Sequence, residues 1–144
     1  MEDGVQAGNE FFLKLSESQE VDDLAGEKFY KYMSQCVGSE RKRIGGNWAV
    51  AQAVPTKNLR DVIRKTLGDD KVTFILLNLE KETARERLGQ RHGDTETGKA
   101  ETEFLLKIQE FYEPKGDDEE NTFDITITNE MDQNDVIKKI LEII

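Results

Sequence analysis

Cysteine is nearly absent from this chain of 144 residues. Cys36 stands alone, so no internal disulfide can form, and its place on an apolar stripe reads as a small core residue. Histidine and tryptophan also occur once each, at His92 and Trp48, and proline twice, at Pro55 and Pro114. No apolar run approaches the ~20 residues that a membrane-spanning helix needs. The start of the chain lacks the basic, apolar and small-residue sequence of an export signal. These absences point to a reducing compartment, with a cytoplasmic setting expected. Positive charge is also scarce: 20 basic against 30 acidic residues leave a formal net charge of −10. Such a field repels polyanions, which argues against nucleic acids and anionic membranes as partners. A small phosphorylated ligand held by a few local arginines remains compatible with it.

What is present is well-patterned apolar sequence, 36% of the chain, enough for about one domain. Residues 1–25 are polar and irregular apart from Phe11, Phe12, Leu13 and Leu15, and read either as a short docking helix or as a loose arm. Residues 26–144 read as a single domain. EKFYKYMSQCV puts Phe29, Met33, Cys36 and Val37 on one helical face, with Gly38 as a stop. ERKR at 40–43 reads as a solvated helix end. WAVAQAV (48–54), bounded by glycines and Pro55, predicts a buried strand with Trp48 packed at its start.

Residues 56–67 predict an amphipathic helix with Leu59, Val62, Ile63 and Leu67 inward and Lys57, Arg60, Asp61 and Arg64 toward water. VTFILLNL (72–79) is continuously apolar, the pattern of a strand covered on both faces. EKETARERLGQR (80–91) is helical by propensity. A further helix follows, with Phe104, Leu105, Ile108 and Tyr112 inward, ending at Pro114. FDITIT (123–128) alternates like a strand near a sheet edge. The closing helix carries Val136, Ile137, Ile140, Leu141 and Ile144 on one face. Strands separated by helices need crossover connections, so the expected fold is a three-layer α/β sandwich with a small, mainly parallel sheet of strands 48–54, 72–79 and 123–128.

One stretch comes close to a phosphate-binding motif. GDTETGKA (93–100) has the frame G-x-x-x-x-G-K, but Ala100 stands where a hydroxyl should meet magnesium. The stretch follows a helix instead of a strand, and Asp94 and Glu96 would set carboxylates against the phosphates. The match reads as accidental. DDEE at 117–120 lacks the alternating oxygen ligands and glycine of a calcium loop and reads as a solvated loop. His92, beside a glycine in a polar loop, is expected to be exposed, with no serine or cysteine partner.

VTFILLNLEKETARERLGQRHG resembles the strand, helix and lid of P-loop small-molecule kinases, of the gluconate and shikimate kinase group. The lid arginines of that group reach nucleotide phosphates. The resemblance therefore implies nucleotide contacts at Arg85, Arg87 and Arg91, with Lys99 nearby, and substrate contacts at Thr56, Lys57 and Arg60. Glu113-Pro114 matches the pair that ends the following helix. The family's opening strand and Walker A loop have no counterpart here, and Thr56 stands where gluconate kinases carry a lysine. The resemblance implies a kinase-like module without its phosphate loop: a non-catalytic binding or regulatory domain with weak phosphate affinity. The alternatives are a fragment of an active phosphotransferase using ATP and magnesium, and an interaction domain without ligand. No catalytic residue and no metal ligand is assigned. Without the family's first strand, 48–54 and 72–79 are expected to pair directly in parallel, with homodimerisation through an exposed sheet edge as the fallback.

Overall fold

The computed structural model describes residues 2–18 and 20–144. Among them run helices α1 (Glu2–Ser18), α2 (Asp23–Ile44) and α3 (Lys57–Leu67), a 3-10 turn at Asp69–Lys71, then strand β1 (Phe74–Leu79). Helices α4 (Lys81–His92) and α5 (Glu96–Gln109), strand β2 (Thr122–Ile127) and helix α6 (Gln133–Ile143) complete the order. The fold is mixed α/β, mostly helical, with a small two-stranded parallel sheet. The chain gathers into two compact units, one holding the chain up to Val72 together with Phe111–Glu113, the other Thr73–Glu110 with Pro114–Ile144.

The first unit is built on helix pairs. The N-terminal residues form a full helix, α1, whose buried face is Gly4, Ala7, Gly8, Phe11 and Leu15. Small residues every third or fourth position let the α2 aromatics approach the α1 backbone: a Cβ on Gly8 would lie 2.5 Å from the Phe29 ring, and one on Gly4 would strike Tyr32. Phe11, Phe12, Phe29 and Tyr30 stack edge-on at centroid distances of 5.0 to 5.8 Å, the geometry that aromatic quadrupoles favour. Asp22 caps α2 by accepting the Ala25 N–H at 3.1 Å, and the Lys14 ammonium reaches the same carboxylate at 3.0 Å.

Several expectations are corrected in this unit. The face that α2 buries is Ala25, Gly26, Tyr30 and Ser34, and Cys36 is exposed. The close contacts of α1 and α3 select the small residues: a Cβ on Gly26 would come 2.9 Å from Leu59 and 3.1 Å from Phe11. Gly38 does not stop α2. The helix continues to Ile44, with Arg41, Lys42 and Arg43 in its last turn, where cations suit the helix dipole, and ends at Gly45, whose φ is 82°. Arg60 and Arg64, expected in water, are buried at 1% and 8% exposure.

Residues 48–54 form no strand. They run without regular structure between α2 and α3, with Trp48 and Val50 exposed. Within the chain the Ala53 carbonyl is taken by the Tyr30 hydroxyl, and β1 takes β2 as its strand partner. The expected pairing of 48–54 with 72–79 is therefore also corrected.

In the second unit β1 pairs with β2 instead, in parallel, with Phe74 opposite Thr122 and Leu79 opposite Ile127. This register puts Ile75, Leu77 and Leu79 on one face with Phe123, Ile125 and Ile127, an entirely apolar set. Ile125 and Ile127 are buried, at 4% and 5% exposure. β1 itself is only half covered, and Leu77 remains 49% exposed, where the sequence predicts full burial. On α5 the buried residues are Gly98, Thr102 and Leu106, while Phe104, Leu105 and Ile108 flank them and Tyr112 is exposed. The helix ends at Gln109 instead of running to Pro114. α6 begins with a reciprocal capping box between Asp132 and Asp135, but its apolar face stays open, with Leu141 at 63% exposure.

Candidate functional site

The resemblance directs attention to two places: the start of α3 in the first unit and the α4–α5 corner in the second.

At the start of α3, Thr56 is the N-cap. Its hydroxyl accepts the Leu59 N–H at 3.3 Å, and the side chain is buried at 7% exposure. A helix start is an anion site, because its first N–H groups lack partners within the helix and carry a partial positive charge. Here the anion is Glu113. Its carboxylate accepts the Lys57 N–H at 2.9 Å, and its own N–H donates to Pro55 O at 2.7 Å. The Arg60 guanidinium donates to the Glu113 carbonyl at 3.2 Å. The Lys57 ammonium pairs with Asp61 at 3.2 Å, and Arg64 pairs with Asp61 at 2.8 Å. Of the three residues assigned to substrate, Lys57 meets Glu113 through its backbone N–H, Arg60 through the Glu113 carbonyl, and Thr56 caps the helix. Arg60 is buried because the returning segment Phe111–Glu113 supplies a carbonyl for its charge.

At the α4–α5 corner, Gly93 turns the chain with φ 81°, and Thr95 caps α5. Gly98 and Lys99 therefore lie in the first turn of a helix. The Gly98 N–H goes to Thr95 Oγ1 at 3.1 Å and the Lys99 N–H to Thr95 O at 2.9 Å. Gly98 has a packing reason to be glycine: a Cβ there would collide with the His92 carbonyl and lie 2.8 Å from the Gly93 carbonyl. The near-motif thus marks a tight helix–helix corner. The Lys99 side chain is exposed.

The lid arginines have separate engagements. Arg85 forms an ion pair with Glu103 of α5. Arg87 donates to the carbonyls of Thr128 at 3.2 Å and Met131 at 3.1 Å, clasping the β2–α6 connection. Arg91 is exposed near the end of α4. A shallow groove of about 430 Å³ opens beside Arg87, lined by Leu77, Met131, Asp132, Val136 and Ile137 among others, and a carboxylate shares it. His92, expected to be exposed, keeps 18% of its side chain accessible and sets Nδ1 3.2 Å from Glu101 Oε2. Its position against the first turns of α5 follows from the Gly98 contact.

Among the described residues no group of three or more His, Cys, Asp or Glu side chains is placed to hold a metal ion, and no helix is long and apolar enough to cross a membrane. Tyr30 is a strongly shifted titratable group. Burial raises its phenol well above the usual tyrosine range, Tyr112 raises it further, and its hydroxyl donates to the Ala53 carbonyl. Sequence reasoning missed the role of Glu113. The Glu-Pro pair was visible as a helix end, but a carboxylate 56 residues from Lys57 leaves no local signal of its target.

Compared with known proteins, the chain matches no family model, no curated protein and no solved structure.

Proposed function

We propose that this chain is a non-catalytic, kinase-like module of the cytoplasm, a truncated three-layer α/β domain of the P-loop small-molecule kinase type. Its affinity for a nucleotide or other small phosphorylated molecule is weak. Support for the kinase-like reading comes from the order α3, β1, α4, α5, β2, α6, in which two parallel neighbouring strands are joined by helices. One observation carries the non-catalytic reading: several of the groups that would grip a polyphosphate are already engaged. The Gly98 and Lys99 amides bond to Thr95, Arg85 to Glu103, and Arg87 to two carbonyls. Phosphoryl transfer relies on such groups being aimed at the phosphates, together with a hydroxyl for magnesium. A coupled assay with ATP and magnesium tests the proposal. The expected result is no turnover above a matched blank; turnover that Lys99→Ala abolishes would reject it in favour of an active phosphotransferase.

A second reading, an interaction domain without a small ligand, is favoured by the exposed apolar stretch 48–54.

A further inference from the structure

Among the described residues the sheet ends at β1, whose outer edge faces no strand. Phe74 N–H donates to Asn121 O at 2.9 Å, so in a parallel ladder the peptide groups of Phe74, Leu76 and Asn78 turn toward β2, and those of Ile75, Leu77 and Leu79 turn outward. Among the described residues, the Gln109 side chain meets the Leu79 carbonyl at 3.0 Å, and no further strand lies along this edge. Edge strands are normally blunted by charge or proline. FILLNL contains neither, whereas β2 carries Asp124.

The same chain holds a segment of complementary kind. Residues 47–54, NWAVAQAV, are uncharged and free of proline, and among the described residues no backbone–backbone hydrogen bond engages them. Trp48 and Val50 are exposed, at 41% and 52%, while the Ala53 carbonyl accepts the Tyr30 hydroxyl. Charge sets a direction. Ahead of this segment lie Arg41, Lys42 and Arg43, all exposed; ahead of β1 lie Asp69 and Asp70, and ahead of β2 lie Asp117, Asp118 and Glu120, exposed as well. A net charge of −10 opposes self-association in general, so a contact between copies belongs where charge is absent or opposite in sign.

We infer that two copies of this chain exchange segments: residues 48–54 of each add in parallel to the β1 edge of the other, with the basic stretch 41–43 set beside the acidic stretch ahead of β2. Backbone hydrogen bonds supply the attraction, and the flanking charges fix register and direction. The inference does not depend on the phosphate reading, and an active phosphotransferase would leave it standing.

Sedimentation over a concentration series tests it. The wild-type chain is expected to dimerise. Val50→Pro, which removes a donor from an irregular segment, and Leu77→Lys, which puts charge on the edge strand, are each expected to sediment as monomers with unchanged far-UV circular dichroism. Mixing these two variants is expected to restore a dimer, because one intact segment then meets one intact edge. Replacing Arg41, Lys42 and Arg43 together by Glu, all on the surface, is expected to weaken dimerisation on the order of tenfold, and this arm stands even if Leu77→Lys fails to fold. A wild-type chain that stays monomeric, a dimer that survives both Val50→Pro and the triple Glu variant, or a mixture of folded variants that remains monomeric would each overturn the inference.

Discussion

The carboxylate of Glu113 caps the first turn of α3 by accepting the Lys57 N–H at 2.9 Å. The same residue anchors its own N–H on Pro55 O at 2.7 Å and gives its carbonyl to Arg60. A segment that follows α5 in the chain thereby belongs to the first compact unit. Replacing this side chain by alanine leaves a helix N–H unmet and removes a favourable charge at the positive end of the dipole. Glu113→Ala is expected to lower stability by about 1 kcal/mol in urea denaturation, and Glu113→Gln by less. An Ala variant as stable as the wild type would show that the cap contributes nothing.

Two glycines of the α4–α5 region should respond oppositely to alanine. Gly98 faces the His92 and Gly93 carbonyls, which are backbone and cannot swing aside. Gly98→Ala is expected to destabilise by roughly 1–3 kcal/mol. Gly89 lies inside α4 with nothing within 4 Å of its virtual Cβ, so Gly89→Ala should stabilise by roughly 0.5–1 kcal/mol. Thermal melts of the two variants give the comparison; shifts of the same sign would contradict it.

Tyr30 ties stability to alkaline pH. Its folded pKa lies above the unfolded value, so the folded state holds the proton more tightly. Its contribution is fully present below about pH 10, the ordinary tyrosine value, and declines as pH rises above that. Tyr30→Phe should lose about 1 kcal/mol at neutral pH, with the Ala53 hydrogen bond, and should show a flatter alkaline limb. Chemical denaturation at neutral and alkaline pH measures both effects.

Asp22 works in the opposite range. The Ala25 N–H first, then the Lys14 ammonium, hold its carboxylate below the ordinary aspartate value. A depressed folded pKa contributes stability above about pH 4 that is lost as pH falls through the folded value. Asp22→Asn should therefore flatten the acid limb of the stability profile and, because Asp22 also holds the Lys14 ammonium above its ordinary range, flatten part of the alkaline limb as well.

Residual phosphate affinity, where present, should reside in the arginines of α4. Pyrophosphate binding by calorimetry is expected to be weak and to weaken further with salt. Arg87 also clasps the β2–α6 connection, so the double change of Arg87 and Arg91 to Ala should reduce both binding and melting temperature. Unchanged pyrophosphate binding in that variant would make both arginines structural or surface charges.

By itself the sequence determined the elements whose signals are local. The amphipathic α3, the apolar run of β1, the alternation of β2 and the amphipathic α6 all lie within a few residues of their predicted limits. Each depends on neighbours three or four residues away, or on a period of two. Tertiary structure decided what these elements meet. α1 looked irregular because Gly4 and Gly8 carry no hydrophobic signal, yet those glycines are what the α2 rings require. Arg60 read as solvent-facing because a charge is tolerated inside only when another group answers it, and Glu113 is 53 residues away. WAVAQAV read as a strand on composition alone, but a strand exists only by pairing. Within the chain β1 takes β2 as its neighbour and leaves 48–54 unpaired. A carbonyl, a carboxylate or a partner strand far away in the chain leaves no periodic trace, so these outcomes became visible only in three dimensions.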